Sequence, residues 1–300
     1  MLFAPLVALL AVGVAADKRQ LNPGEIAGLV ENFKNAGLGD LVGGDNFKPE
    51  GLLTGKFGTA DWTVGANMTV NQTADFPSFF VQPNAGSTAF DNTTQMYTAA
   101  LVDAGVVGSN STTQTLHWLI NSIHVNTTGG APYALAYENG TTITEYAGPN
   151  PPSGSGPHRY VLALLRQPAN FTAPAAYSQR NTPVGPFNMA EYLQQTQLGP
   201  IAAANYFTVS NGPMPENLTS TSAVVSSTLS GFTGAAAIPT AAGAQGGGNP
   251  NATTTGNGSA GANPSNPAAS PSATGGSGAL AVLAPIAGVL ASVAGAVSFF

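Results

Sequence analysis

Apolar residues between positions 21 and 41 recur three and four residues apart, and the stretch ends in Gly43-Gly44. Residues at this spacing share one helix face, and glycine often follows a helix end, so the pattern predicts a short amphipathic helix. Beyond it, β-branched and aromatic residues gather in short runs separated by Gly, Pro and Asn, which is typical of strands joined by turns. The predicted strands cover residues 56–64, 79–82, 96–102, 115–125, 133–137 and 159–165, and residues 188–207 show a mixed pattern. This order predicts a mostly β domain of two packed antiparallel sheets with short flanking helices.

The N-terminal segment, residues 1–16, has no charged side chain and is dominated by Leu, Val and Ala. It is too short to span a bilayer, which needs about 20 apolar residues. The segment ends in Val14-Ala15-Ala16, small residues of the kind that precede a signal-peptidase cleavage site. We interpret it as a signal peptide, and the alternative is a buried first helix of the domain.

The C-terminal part divides into two segments that follow a folded domain predicted over residues 17–215. Residues 216–278 are mostly Ser, Thr, Gly, Ala, Pro and Asn, which bury too little apolar surface to fold, so we predict a disordered stalk. Residues 279–300 are apolar nearly throughout and follow a run of small residues, the pattern of a glycosylphosphatidylinositol (GPI) attachment tail that is removed on anchoring. The alternative is a transmembrane helix, which basic residues normally follow, whereas no basic residue occurs after Glu216.

Glycosylation signals agree with passage through the secretory pathway. Ten Asn-x-Ser/Thr sequons occur, and each one that is used must lie on the surface. Their asparagines are Asn67, Asn71, Asn92, Asn110, Asn126, Asn139, Asn170, Asn217, Asn251 and Asn257. We therefore expect a secreted protein at the cell surface or cell wall, GPI-anchored to the outer leaflet of the plasma membrane.

Composition further limits how the domain is stabilised and which partners are expected. The chain has no cysteine, so the domain must be held together by packing without disulfides. A formal net charge of −6 provides no basic stripe, and nucleic acid is therefore not an expected partner.

Candidate chemistry is confined to few residues, because the chain has three histidines and no cysteine. Asp103 ends an apolar strand, where a carboxylate can meet a ligand. In a later strand His158 and Tyr160 share one face and Arg159 points to the other, since side chains alternate along a strand. The loop before that strand, residues 148–157, is rigid where proline fixes φ and open where glycine admits a ligand. The combination predicts a small preformed pocket.

Two sequence blocks carry a resemblance to a known family. The segment Gly148-Pro149-x-Pro151-Pro152-x-Gly154-x-Gly156-x-His158-Arg159-Tyr160-Val161 strongly resembles the second signature block of the phosphatidylethanolamine-binding protein (PEBP) family. The strand ending in Asp103, followed after a loop by His117, resembles the first block. The segment Leu198-Gly199-Pro200-Ile201-Ala202-Ala203 resembles the closing segment. The resemblance covers most of residues 21–212 and implies a Greek-key β-sandwich with an anion pocket for phosphate and phosphoethanolamine-type headgroups.

On matching positions the resemblance implies a pocket formed by Asp103, His117, Pro151, Pro152, His158 and Tyr160. The first block departs from the family pattern. Gly105 stands where the second Asp is expected, Val107 stands where a Pro is expected, and Thr112 and Thr115 stand where aromatic residues usually precede the histidine. One wall of the pocket is therefore altered, and headgroup specificity does not carry over.

The chemistry of these residues suits an anion. A protonated histidine is a charged donor, so His117 and His158 can both bind one. Tyr160 adds a hydroxyl donor, and backbone amides around Gly154 and Gly156 can add more. Asp103 can orient a histidine or accept from an ammonium group. The alternative for the histidines is a structural role in the core.

Two residues near these blocks are assigned no contact with the ligand. Arg159 is expected to be a structural ion-pair residue behind the pocket. His124, which matches nothing in the family pattern, is expected to be structural or exposed.

Catalytic alternatives lack their own signatures. Asp103, His117 and His158 could form a facial metal triad, and Ser153 or Ser155 could pair with a histidine base. Neither a Gly-x-Ser-x-Gly nor a His-Glu-x-x-His motif is present in the sequence. We therefore expect no enzyme activity, no metal and no cofactor.

The expected function is an extracellular module that binds a phosphate or phospholipid-headgroup-type anion. One alternative is a protease-inhibitor-like module that binds a protein partner, such as a protease. Another is a structural or adhesive cell-surface glycoprotein.

Overall fold

The computed structural model describes residues 20–109 and 112–215. The predicted signal peptide, stalk and attachment tail lie outside these residues. Within them the chain forms two α-helices, α1 (Pro23–Asn35) and α2 (Met189–Thr196), and eleven strands. The strands are β1 (Gly51–Phe57), β2 (Ala60–Asp61), β3 (Ala66–Thr69), β4 (Ser78–Pro83), β5 (Tyr97–Val106), β6 (Gln114–Asn126), β7 (Tyr133–Ala136), β8 (Thr141–Thr144), β9 (His158–Arg166), β10 (Gly185–Phe187) and β11 (Ile201–Ser210).

Most predicted strands are confirmed, with differences where glycine turns the chain. The run predicted over residues 56–64 is divided between β1 and β2, because Gly58 has a φ of 60° and closes a tight turn. The mixed segment 188–207 contains α2 and most of β11. The short strands β3, β8 and β10 were not predicted from the sequence, since runs of three or four residues carry little periodicity.

One hydrogen-bonded sheet runs through the domain. Its strand order is β2-β1-β4-β7-β6-β5-β9-β11-β3, and β8 and β10 pair with β6. β1 also pairs with β11, in parallel, so the sheet closes on itself. The mostly β architecture with short flanking helices is confirmed, and hydrogen bonding runs continuously where two separate antiparallel sheets were expected.

The two faces of this sheet bury different apolar clusters. Along β9, Val161 and Ala163 belong to one cluster, whereas Tyr160 and Leu162 belong to the other. The helices pack on the first cluster through buried side chains, Leu29, Phe33, Met189 and Tyr192. The second cluster is rich in aromatic rings, for example Trp62 and Phe207 stacked at 4.8 Å between centroids. Neither helix in the described part of the chain is both long and apolar enough to cross a membrane.

Candidate functional site

Asp103 and His158 form the centre of the candidate site, near the end of β5 and at the start of the neighbouring strand β9. The Nδ1 atom of His158 donates to Oδ2 of Asp103 at 2.8 Å. The other carboxylate oxygen accepts the backbone N–H of Gly105 at 2.7 Å. Because the Asp103 and His158 side chains are 11% and 15% exposed, the pair is largely shielded but still reached by solvent.

Tyr160 and His117 lie beside this pair. Tyr160 is directly opposite Asp103 in the β5–β9 register. The His117 ring meets the Tyr160 ring edge-on, with 5.2 Å between centroids, and its Nδ1 donates to the Ala147 carbonyl at 2.9 Å. Burial, and then the negative charge of Asp103, raises the pKa of the Tyr160 hydroxyl, which therefore stays protonated and able to donate. No partner meets ordinary hydrogen-bond geometry at this buried hydroxyl, although Asp103 is near enough to affect its pKa.

The loop over residues 148–157 is fixed by its own backbone and by Asn211, which follows β11. The side chain of Asn211 donates from Nδ2 to the Pro151 carbonyl at 3.0 Å, and the backbone carbonyl of Asn211 accepts the Gly154 N–H at 2.8 Å. The Gly154 amide, one of the loop amides expected to be able to donate to a ligand, is therefore engaged within the fold. Pro151 is buried and Pro152 is exposed, so only the second proline faces solvent.

Ser155 connects this loop to the histidine. Its Oγ lies 3.0 Å from Nε2 of His158 and 2.7 Å from the carbonyl oxygen of Pro152. A carbonyl can only accept, and Ser155 has one hydroxyl hydrogen. Both contacts are hydrogen bonds at once only when His158 Nε2 carries a hydrogen and donates to Ser155. His158 thus contacts Asp103 through one ring nitrogen and Ser155 through the other.

Arg159 points to the opposite face of the sheet, as the alternation predicted, and is 1% exposed. Its guanidinium donates to the Ala36 carbonyl at 2.6 Å and to the Ala104 carbonyl at 2.8 Å. It also donates to the carbonyls of Gly37, Gly105 and Ser109 and to the Ser109 hydroxyl. All are neutral oxygens, so the expected structural role holds but the expected ion pair does not. Burial lowers the pKa of Arg159, an effect that the nearby Asp103 opposes.

The departures from the family pattern begin at the irregular end of β5 and continue in the segment that follows it. Gly105 has a φ of +74°, and a Cβ there would lie 2.8 Å from Ser109 Oγ. An aspartate at this position would be strained, so the glycine suits the local backbone. Val107 is partly buried and Thr112 is exposed.

The structure thus brings together the predicted site residues to different degrees. Asp103, His158, Tyr160 and His117 form a continuous group, and Pro152 joins it through Ser155. Pro151 is linked to the group only through the loop. The contact between Ser155 and His158 matches one of the serine–histidine pairings that the sequence allowed, and their spacing of three residues in a Gly-rich turn brings them together.

The third histidine and the possible metal site are considered separately from this group. His124 is partly buried on β6, and its Nδ1 has no hydrogen-bond partner. Within residues 20–109 and 112–215, no cluster of His, Cys, Asp and Glu is arranged to hold a metal ion.

Six sequon asparagines lie in the described part of the chain, and all are exposed, namely Asn67, Asn71, Asn92, Asn126, Asn139 and Asn170. Two of them have a local turn geometry, in which Asn92 Oδ1 accepts from the Thr94 N–H at 3.0 Å and Asn126 Oδ1 from the Thr128 N–H at 3.0 Å. The sequons at Asn110, Asn217, Asn251 and Asn257 lie outside the described residues.

Comparison with known proteins gives a consistent family. Residues 44–208 match the family model described as phosphatidylethanolamine-binding protein. A fungal "Phomoidride biosynthesis cluster protein N" is 34% identical over 38% of this chain, and the matched part spans only 52% of that protein. The "Carboxypeptidase Y inhibitor" of Saccharomyces cerevisiae is 26% identical over 46% of this chain and 73% of its own length. A crystal structure of carboxypeptidase Y inhibitor complexed with its cognate proteinase superposes with a TM-score of 0.49 at 20% identity, covering 61% of this chain and 94% of that one.

Proposed function

We propose that this chain, which belongs to the phosphatidylethanolamine-binding protein family, binds a phosphate-type anion at the Asp103–His158 pair and catalyses no reaction. The observation that carries the proposal is the hydrogen-bond chain from Asp103 through His158 to Ser155. It fixes an imidazole whose Nε2 atom can present a hydrogen at the start of β9.

The neighbouring groups supply further donors of the kind that an anion requires. His117 already donates through Nδ1, so a protonated ring would offer Nε2–H as well. The Tyr160 hydroxyl stays protonated because burial raises its pKa. A phosphate oxygen can replace Ser155 as the acceptor for His158, since Ser155 keeps its bond to the Pro152 carbonyl. Bonds between a charged donor and a phosphate are about twice as strong as neutral ones.

Asp103 is the one negative group in this cluster, and its role is to hold the histidine. Its two oxygens are both engaged, one by His158 and the other by the Gly105 amide. A carboxylate satisfied in this way orients the imidazole and balances its charge. A free inorganic phosphate and the phosphate of a lipid headgroup share the chemistry that would be recognised.

A protein-binding function is the second candidate, favoured by the yeast relative whose name describes inhibition of carboxypeptidase Y. A protease is the partner class that this relative suggests. The structural or adhesive glycoprotein remains a third proposal, for which exposed sequons are the support.

We also propose an extracellular location for the domain. The six described sequon asparagines are all exposed, as glycosylation requires. The GPI-anchor prediction concerns residues outside the described part of the chain and stays a prediction.

The anion proposal is tested by thermal unfolding of the full chain in phosphate and in chloride at matched ionic strength. Phosphate should raise Tm with increasing concentration, because a ligand that binds only the folded state stabilises it. His158→Gln keeps a donor for Asp103 but removes the cationic one, at a cost of about 1.5–3 kcal/mol. Its affinity for phosphate should therefore fall by about tenfold or more. His117→Gln should show a smaller loss in the same direction.

The matched control is His124→Gln, the same substitution at the histidine outside the site, which should bind phosphate like the wild type. Equal binding by His158→Gln and His124→Gln would refute the site assignment. If phosphate and headgroup analogues fail to stabilise the wild type, and the chain inhibits carboxypeptidase Y, the protein-binding candidate replaces this one.

A further inference from the structure

A cavity of ≈ 420 Å³, separate from the Asp103–His158 pair, opens beside β6 and β8, and Trp118 and Thr142 of these strands line it. Four aromatic side chains form much of its wall, and two carboxylates accompany them. These six residues, which define the aromatic cavity, are Phe76, Trp118, Tyr137, Tyr146, Asp75 and Glu145. No Lys, Arg or His is among the lining residues. Its volume lies within the range of about 300–1,000 Å³ that is usual for small-molecule sites.

Phe76 is the most exposed aromatic of the group, at 47%. It meets Trp118, Tyr137 and Tyr146 at steep angles, with ring centroids 5.2, 5.6 and 5.4 Å apart. A large apolar side chain that is this exposed at the mouth of a concave site indicates a ligand-binding surface. The rings are oriented by one another, so the aromatic wall exists before any ligand arrives.

The loop that carries Asp75 and Phe76 is held in place by the opposite wall. The Tyr146 hydroxyl donates to the Thr73 carbonyl at 2.6 Å. A Cβ on Gly148 would lie 2.8 Å from that same carbonyl oxygen, so the two backbones are in close contact. The cavity is therefore preformed, which lowers the entropy lost on binding.

Charge in the cavity is negative and comes from the carboxylates alone. Burial raises the pKa of the Tyr137 and Tyr146 hydroxyls, so both rings stay neutral. Neutral aromatic rings have electron-rich faces that attract cations, most of all when acidic groups stand nearby. Asp75 and Glu145 are both exposed, so they can attract a cation from solvent to the rings.

We propose that the aromatic cavity binds an organic ammonium cation, in particular a methylated ammonium group. Such a group is weakly hydrated and presents an apolar surface with a positive charge, which fits aromatic faces beside carboxylates. The cavity adjoins the candidate anion site along the chain, since Trp118 follows His117 and Tyr146 precedes Ala147. The proposal is independent of that site, because none of the six cavity residues is among those proposed to bind phosphate.

The test is calorimetric titration of the full chain with choline and with 3,3-dimethylbutan-1-ol, which has the same shape without the charge. Choline should bind, and the uncharged alcohol should bind at least about tenfold more weakly, as expected when cation–π attraction carries the affinity. The variant Phe76→Ala and the double variant Asp75→Asn, Glu145→Gln should each weaken choline binding by about fivefold or more.

Matched controls are Val184→Ala, at an apolar side chain that is 42% exposed, and Asp91→Asn, at an exposed carboxylate, and both should bind choline like the wild type. Failure of choline to bind the wild type overturns the proposal, and so does equal binding of the uncharged alcohol. Titration with dihexanoylphosphatidylcholine separates two sources of the same group. If this lipid binds more tightly than choline, the result supports a lipid headgroup as the ligand. If the two bind equally, the result supports a free ammonium compound.

Discussion

At the residue scale, the chain Asp103–His158–Ser155 has the order of a nucleophilic triad but distributes its hydrogens differently. A catalytic serine must give its hydrogen to the histidine, which acts as a general base. Ser155 lies closer to the Pro152 carbonyl, at 2.7 Å, than to His158 Nε2, at 3.0 Å. When its single hydrogen is directed to the carbonyl, the histidine meets an oxygen lone pair. This geometry favours a donor site for an anion over an activated nucleophile.

We predict that the full chain hydrolyses p-nitrophenyl acetate no faster than its Ser155→Ala variant, because a hydroxyl that donates to the Pro152 carbonyl is not activated by His158. Release of p-nitrophenolate, followed by absorbance, measures the rate. Ser153→Ala, at the neighbouring exposed serine, is the control. A rate that falls in both Ser155→Ala and Asp103→Asn but not in Ser153→Ala would establish catalysis and contradict the non-enzymatic proposal.

For Arg159, the sequence predicted the direction of the side chain but not its hydrogen-bond partners. Strand alternation correctly placed Arg159 opposite His158 and Tyr160. Its partners could not be predicted, because the Ala36 and Gly37 carbonyls lie more than a hundred residues away in the sequence and are brought close only by packing. They belong to the C-terminal end of α1, where unpaired carbonyls and the negative end of the helix dipole stabilise a cation.

At the element scale, hydrogen bonds between residues close in the sequence define where α1 begins and ends. Asn22 accepts the Glu25 N–H at 3.1 Å, and the Glu25 carboxylate accepts the Asn22 N–H at 2.9 Å, a complete capping box. At the other end Gly37 has a φ of 65°, and the Leu38 N–H donates to the Phe33 carbonyl at 2.8 Å. This is a Schellman ending, and it stops the helix before the end predicted from apolar spacing.

Asn22→Ala should lower the free energy of unfolding by about 1 kcal/mol, because it leaves an N-terminal amide of α1 without its acceptor. Asn22→Asp should retain most of the stability, since the carboxylate can accept the same hydrogen bond and suits the positive end of the helix. Denaturant unfolding followed by circular dichroism provides the measurement. Asn46→Ala, at an exposed asparagine outside both α-helices, should change stability little, and an equal loss in the two alanine variants would contradict the capping argument.

At the scale of the whole molecule, closure of the sheet determines what is inside and what faces solvent. The parallel pairing of β1 with β11 joins the first long strand to the last. The closed sheet buries apolar residues on both faces. The sequon asparagines of the described domain stay outside, including Asn67 on β3 and Asn126 at the end of β6.

When the chain is produced in a eukaryotic secretory host, we predict that peptide:N-glycosidase F lowers its apparent mass on gel electrophoresis. Asn67→Gln and Asn126→Gln should each remove one step of that shift, because both asparagines are exposed. Exposed polar substitutions usually change stability by less than about 0.5 kcal/mol, so the variants should fold. Asn46→Gln, which lies in no sequon, should leave the shift unchanged. A chain unaffected by the glycosidase would count against the extracellular proposal.

The sequence by itself determined the features that depend on neighbours along the chain. These include most strands and the shared face of His158 and Tyr160, because backbone geometry repeats over a few residues. Only the tertiary structure decided which distant groups meet. It closed the sheet through β1 and β11, placed Arg159 at the end of α1, and built the aromatic cavity from side chains on separate segments. Such contacts depend on how whole faces pack, and no local period encodes that packing.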